Sequence, residues 1–414
     1  MEVSEEPPVE KLSIRNFYTI KEFDWEIKEF NILTGDMGSG KSICVKLLWF
    51  LERIFHTLIF YSTATKDDLS GPAFFDKIAK EFNQLFFTKN FDFSAAEIAY
   101  TYSCNGNVFD LRAKWDNDRL AWSSGYLESH FEQWRDYFGS QEIKLDTPIL
   151  AYNQIYASML QEFHDTFPIG TMYIPDSRAI AAVTDNTDFP DPFTVRFIKN
   201  RKWLVSQLEN LSDKEINQIL HIESIKHGKD QGVIITVPNE GDIPPQYLSS
   251  GQQELIYLLL FVKRLSGDPF SYSNRTSFFI EEPETHLFPQ NQKDTVEYFA
   301  KIFRLFKDNE TRRNRFFITT HSPYVLNVIS AMMNRGNLKK KQNDLGVTPL
   351  DSLCYFNQGE VSAYRIGANG IVSSMVSGDE TYINGENINE ISRAIFDEAN
   401  AIDDELAAIK ARSP

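Results

Sequence analysis

One run near the start of the chain, Gly35-Asp36-Met37-Gly38-Ser39-Gly40-Lys41-Ser42, has the residue types and spacing to hold a phosphate. It fits GxxxxGK[ST], with a short apolar stretch before it and a helical pattern after it. The glycines let backbone N–H groups wrap a β-phosphate where Cβ atoms would obstruct. A helix N-terminus adds partial positive charge. Lys41 would reach the β- and γ-phosphates, and the Ser42 hydroxyl would ligate Mg²⁺. The bland alternative is a Gly-rich turn with an exposed lysine, and the strand-before, helix-after context argues against it.

Three further segments supply complementary chemistry. Ser277-Phe-Phe-Ile280 is an apolar strand tipped by Glu281 and Glu282. One carboxylate there would hold the metal and its waters, and the next would orient and polarise an attacking water. We assign Glu281 to the metal and Glu282 to the water. Leu248-Ser249-Ser250-Gly251-Gln252 opens an apolar helix. Ser249 and Gly251 would bind an anion there through hydroxyl and N–H groups. Read alone, the same run is an N-cap with Gln253 or Glu254 completing a capping box. Phe316-Phe-Ile-Thr-Thr320 is a buried strand ending in His321, a donor for a γ-phosphate.

These groups need parallel strands to converge them, and the pattern provides such strands. Alternation marks strands at 11–17 and 23–27, and a short apolar run at 30–33 precedes Gly35. A helix is expected from Lys41 to about Phe60, and another over 65–95. A meander follows at 97–103, 108–114 and 119–123. Residues 125–222 read as short helices, with an extended interruption at 173–175. Strands are expected at 233–237, 277–280, 316–319, 352–356 and 360–366, and helices at 255–265, 290–306 and 322–334. A last helix, 387–410, carries Ile388, Ile391, Ile395, Ile402, Leu406 and Ile409 on one face; Asp397, Glu398, Asp403, Asp404 and Glu405 read as its solvated face. The fold class is α/β, a mixed sheet with flanking helices and N-terminal antiparallel strands. Four parts are expected: 1–124 with the phosphate loop, an inserted helical lobe at 125–230, 231–370 with the remaining motifs, and 371–414 as a docking helix.

Composition narrows the class. The 414 residues carry a formal net charge of −16, which argues against coating nucleic acid through bulk charge. Three cysteines cannot make a disulfide framework, so a reducing, cytoplasmic setting is expected. No apolar run is long enough to span a bilayer, and the acidic MEVSEEPPVE start has no secretory h-region.

Taken in order, the phosphate loop (Walker A), the LSGGQ-like signature 248–252, Walker B with Glu282 and the switch His321 resemble an ABC-type ATPase head. More narrowly, the chain resembles the soluble prokaryotic ATPases related to RecF, SMC and the overcoming-lysogenization-defect family. Ile14-Arg15-Asn16-Phe17, Tyr173-Ile-Pro175-Asp-Ser-Arg178, 280–287 and 320–327 also carry that resemblance. It implies ATP and Mg²⁺, and a head-to-tail homodimer or larger homo-oligomer in which Ser249 and Gly251 act on the partner's ATP. It also implies a reach of Arg15 toward a γ-phosphate, with a surface arginine as the other reading. Glu281 stands where many such heads have Asp, and Phe288 where relatives often have His. Gln154 is a candidate for the family's Gln loop. Phe17 or Tyr18 would stack on adenine, or pack in an aromatic core. Arg178 would sense nucleotide or pair with Asp176. His286, following Walker B, would contact the other protomer or cap a turn. Cys44 reads as core.

No Asp-x-Asp pair follows His321, so no fused nuclease of the TOPRIM kind is expected. The organisation resembles ATPases of two-gene phage-defence systems such as PARIS and Septu, which implies a separate effector, a nuclease. The alternative is a RecF- or SMC-like DNA-maintenance head. That reading needs a basic strip, for which Lys199, Arg201, Lys202, Arg312, Arg313, Arg315 and 339–341 are candidates. A small-substrate P-loop kinase would leave 248–252 without a role.

Overall fold

The computed structural model describes residues 8–64, 71–86, 92–104, 106–116, 119–131, 162, 170–206, 213–228, 233–266, 275–308, 313–345 and 354–384. The chain opens with β1 (Val9–Phe17) and β2 (Ile20–Ile27), an antiparallel pair whose buried positions alternate with exposed ones. β3 (Phe30–Gly35) leads into the phosphate loop and α1 (Lys41–Ala64). α2 (Gly71–Phe86) precedes the meander β4 (Glu97–Cys104), β5 (Asn107–Asp116) and β6 (Arg119–Ser123). These strands complete an antiparallel sheet of order β2-β1-β4-β5-β6.

β7 (Gly170–Ile174) follows, then α3 (Pro192–Ser206), α4 (Lys214–Leu220) and a small antiparallel sheet. That sheet comprises β8 (Ser224–His227), β9 (Val233–Val237) and β10 (Gly241–Ile243). α5 (Ser250–Ser266), β11 (Arg275–Glu281), α6 (Pro289–Asp308), β12 (Arg313–Thr320) and α7 (Pro323–Asp344) carry the later motifs. β13 (Val361–Ile366) and β14 (Val372–Ser374) close the described chain.

The second large sheet has the order β14-β13-β3-β12-β11-β7. All its pairs except β13–β14 are parallel. Its central strands are apolar on both faces because both are covered. Leu33, Phe279 and Phe317 face a core shared with α1 and the antiparallel sheet; Phe30, Ile32, Phe278, Ile280, Phe316 and Ile318 face a core shared with α5, α6 and α7. α1 is wedged between the sheets, which is why Cys44, Val45, Leu47, Leu48, Trp49, Phe50 and Leu51 are all buried. Burying each of the Val, Leu and Phe side chains among them contributes about 1.5–3 kcal/mol.

The expected α/β class holds, and β8, β10 and β14 are strands the sequence pattern did not announce. Three expectations change. Residues 170–174, expected within a helical lobe interrupted at 173–175, are the edge strand of the parallel sheet, paired with β11. The lobe expected over 125–230 is therefore stitched into the sheet at this point. Helix 65–95 is shorter, since 92–96 is not helical. The strand expected over 352–356 is not formed by 354–356, because Phe356 N–H donates to Met332 O of α7. Gly336 permits that approach: a Cβ there would stand 1.8 Å from Phe356 O. The helix expected at 387–410 and Gln154 lie outside the described residues.

Candidate active site

Strand register brings the motifs together. Thr34 pairs with Thr320, and Thr319 with Glu281, so β3, β12 and β11 end side by side. Ligands of open α/β sheets bind at such carboxyl ends. Gly35 (φ +149°) and Gly40 (φ +107°) shape the loop. A Cβ on Gly35 would meet Ile366 O at 2.3 Å, and one on Gly40 would meet Thr19 Oγ1 at 2.5 Å. Thr19 also donates to Ser39 O at 2.9 Å, so the β1–β2 turn props the loop from below. Asp36, Met37 and Gly38 are exposed, whereas Ser39 is buried.

Lys41 Nζ donates to Gly35 O and Asp36 O, each at 3.1 Å, and lies 2.9 Å from His321 Nε2. Burial pulls its ammonium down, opposed by Glu282, Asp36, Glu284 and Glu281. His321 Nε2 is also 3.3 Å from Glu282 Oε1. Lys41, His321 and Glu282 thus form a contiguous cluster. Glu282 sits in the left-handed region (φ +43°), a strained conformation costing about 1 kcal/mol or more. Its N–H donates to Thr319 O at 2.9 Å, which holds the bend.

Glu281 is 1% exposed, and burial pushes its carboxyl up against the pull of the Lys46 ammonium and the Ser42 hydroxyl. Its Oε1 is buried without a hydrogen-bond partner among the described residues, and Oε2 lies 4.0 Å from Lys46 Nζ. A hard dication wants oxygen ligands and keeps several waters. An orphaned buried carboxylate oxygen beside a hydroxyl suits Mg²⁺, so Ser42 and Glu281 fit that ion.

Sequence reasoning left several supports without a role. Glu284 Oε1 accepts from Thr320 Oγ1 and from His321 N–H, both at 2.7 Å, and so sets the end of β12. Lys46 follows Ser42 by one helical turn, a spacing that would have flagged it. Its Nζ stands 4.8 Å from the Phe193 ring centroid. Arg178, fully buried, donates to the carbonyls of Pro175, Glu254, Glu281 and Glu282, and among the described residues its ion pair is with Glu254 rather than Asp176.

The other expected residues lie elsewhere. Arg15 is bound to Asp24 at 2.7 Å and to Phe23 O at 3.2 Å, on the neighbouring strand β2 rather than at the loop. The Asp24 partner holds its guanidinium up. Phe17 is core, packed on Phe82, Phe86 and Phe93, and half-buried Tyr18 packs edge-on against it. Cys44 is fully buried and its thiol is pushed up by that burial. Ser249 N–H and Oγ both donate to Gln252 Oε1, so the box partner is Gln252, not Gln253 or Glu254. Among the described residues, no hydrogen bond or ion pair joins Ser249 or Gly251 to 35–42. Of the basic candidates, Arg315 is buried between Glu10 and Glu52, and Arg201 is tied to Asp185. Arg312 lies outside the described residues. Among the described residues no helix is long and apolar enough to cross a membrane.

A family model described as an AAA ATPase domain matches residues 197–326, a span holding the signature, both strand-tip glutamates and His321. No curated protein matches the sequence. Among solved structures, an SMC head bound to the C-terminal winged-helix domain of ScpA is similar at TM-score 0.45 and 13% identity, covering 89% of this chain and 97% of that one. The Pyrococcus furiosus SMC head with an extended coiled coil, bound to the C-terminal domain of ScpA, is similar at TM-score 0.42 and 14% identity, covering 94% and 100%. The Thermotoga maritima SMC head is similar at TM-score 0.38 and 12% identity, covering 77% and 91%. The family match, taken with the phosphate loop, supports an ATPase-type P-loop domain.

Proposed function

We propose that this chain binds and hydrolyses Mg-ATP in the manner of an ABC-type head, two copies closing around the nucleotide. The observation that carries this reading is the convergence of Lys41, Ser42, Glu281, Glu282 and His321 at the ends of three adjacent parallel strands. Lys41 and the loop N–H groups bind the phosphates. Ser42 and Glu281 would hold Mg²⁺, which would supply neutralisation of phosphate charge. Glu282 takes the proton of the attacking water, and Lys41 and His321 face the charge that develops on the γ-phosphate. Ser249 and Gly251 are unconnected to their own phosphate loop, which supports a role toward a second copy.

The test is molecular mass by light scattering, with and without Mg-ATP, beside phosphate release. Glu282→Gln should gather into a dimer or larger assembly only with ATP, and Ser249→Arg added to it should disperse that assembly. A nucleotide-bound Glu282→Gln monomer would refute the closure. We further propose, on the motif resemblance, that the ATPase restrains a separate nuclease effector in phage defence. Bacteria carrying the chain with its flanking genes should plate phage less efficiently, and Glu282→Gln should change that efficiency; equal plating by wild type and variant would reject it.

A further inference from the structure

Arg178 and Glu254 are a buried charge pair at the junction of three motifs. Arg178 Nε is 3.3 Å from Glu254 Oε2 and donates to Glu254 O at 3.1 Å. The two Nη atoms reach the opposite way: Nη1 donates to Glu281 O at 2.7 Å and Nη2 to Glu282 O at 2.9 Å. A guanidinium presents five donors in one rigid plane, so it fixes these carbonyls relative to α5 in a way a lysine ammonium cannot. Glu254 lies one turn into α5, directly after the signature segment. Its other oxygen, Oε1, lies 3.3 Å from His286 Nδ1. His286 is 62% exposed at the side chain and holds φ +59° in the turn after the strand tip. Gly251 touches the same turn: a Cβ there would meet His286 O at 3.0 Å.

We infer that Glu254 and Arg178 are positioning residues, a rigid link by which contact at the signature segment and His286 sets the backbone of the catalytic Glu282. The inference rests on the proposed ATPase reading for its catalytic consequence. The geometry underneath it is independent: one exposed end at Ser249–Gly251 and His286, one buried end at the Glu281 and Glu282 carbonyls. Glu282 already holds a strained left-handed conformation, so a guanidinium that Glu254 no longer fixes grips the two carbonyls less firmly and frees the bend that aims the Glu282 carboxylate. Interactions made in a closed state then reach the reacting water through two side chains, with no requirement that the phosphate loop move.

Glu254→Gln is the decisive variant, because it removes the charge yet keeps the shape and the carbonyl that Arg178 Nε uses. Arg178→Lys is the companion. Three quantities are measured: affinity for a fluorescent ATP analogue, turnover with its KM, and amide hydrogen exchange across 281–284. The link predicts analogue affinity within about twofold of wild type, kcat lowered about tenfold or more with KM little changed, and faster exchange at the Glu282 amide. General loss of structure would instead lower affinity and kcat together and speed exchange throughout. Should Arg178→Lys fail to fold, Glu254→Gln decides alone. Wild-type kcat and wild-type exchange in Glu254→Gln overturn the link. A wild-type chain without turnover overturns the ATPase reading instead, and exchange at 281–284 still reads the link.

Discussion

The two ends of the parallel sheet use the same residue types to opposite effect. At the amino ends, charge is closed on itself. Arg315, buried at the start of β12, lies 2.9 Å from Glu10 Oε2 and 3.0 Å from Glu52 Oε1. Tyr100 adds its hydroxyl to Glu10 at 2.9 Å. Arg304 of α6 pairs with buried Glu360, and Lys307 with Glu29 and Glu360. At the carboxyl ends the spacings loosen. Lys46 stands 4.0 Å from Glu281, His321 stands 3.3 Å from Glu282, and Glu281 Oε1 and Glu284 Oε2 are buried without a hydrogen-bond partner among the described residues. Arg315 already has two carboxylates within 3.0 Å that neutralise it, although its Nε finds no hydrogen-bond partner among the described residues, so the two ends differ in how closely opposite charges are matched. Carboxylates and cations held apart, with lone pairs unused, suit a third party carrying both phosphate charge and a metal.

That contrast can be broken from either end. The largest effect should come from Glu282→Gln: kcat falls about a thousandfold while nucleotide affinity is kept, read by phosphate release beside analogue binding. Equal losses in both quantities would place Glu282 in binding rather than in proton transfer. Lys41→Met should weaken analogue binding about a hundredfold or more with little change in thermal midpoint, since among the described residues Lys41 bonds to its own loop and His321. The amino end should answer the other way. Arg315→Met removes the cation that faces buried Glu10 and Glu52, so stability should drop by about 3–5 kcal/mol in a denaturant titration. Affinity per folded molecule should stay near wild type. Smallest of all, Arg15→Ala removes a partly exposed pair with Asp24 and should cost about 0.2–1 kcal/mol, with turnover within about twofold. A large loss of turnover there would restore Arg15 to the phosphates.

Much of the carboxyl end was legible in the sequence, because its chemistry is local. A Gly-rich loop between strand and helix, a strand tipped by two glutamates and a strand tipped by histidine each carry their meaning in a few residues. The register that aligns Thr34, Thr320 and Glu281 only confirms where such tips must meet. What stayed hidden depends on long-range packing. Arg315 looks like part of a surface run, and only the fold brings Glu10 and Glu52 to it. Arg178 sits beside Asp176 in the chain, yet its partners are carbonyls about a hundred residues later. β7 is too short to announce itself as a sheet edge in a helical context. Arg15 is the opposite case: the adjacent strand offers Asp24 across the ladder's diagonal, in keeping with the surface-arginine reading.

The central claim is that the carboxyl-end cluster is completed by the signature of another copy. The most direct measurement mixes two inactive variants, Lys41→Met and Ser249→Arg, and follows phosphate release. Each alone should be silent. In a mixed pair one composite site keeps both Lys41 and Ser249, so mixing should restore activity, up to about a quarter of wild type for random pairing. No recovery on mixing, with both variants folded and the Ser249→Arg chain still binding nucleotide, would contradict the account.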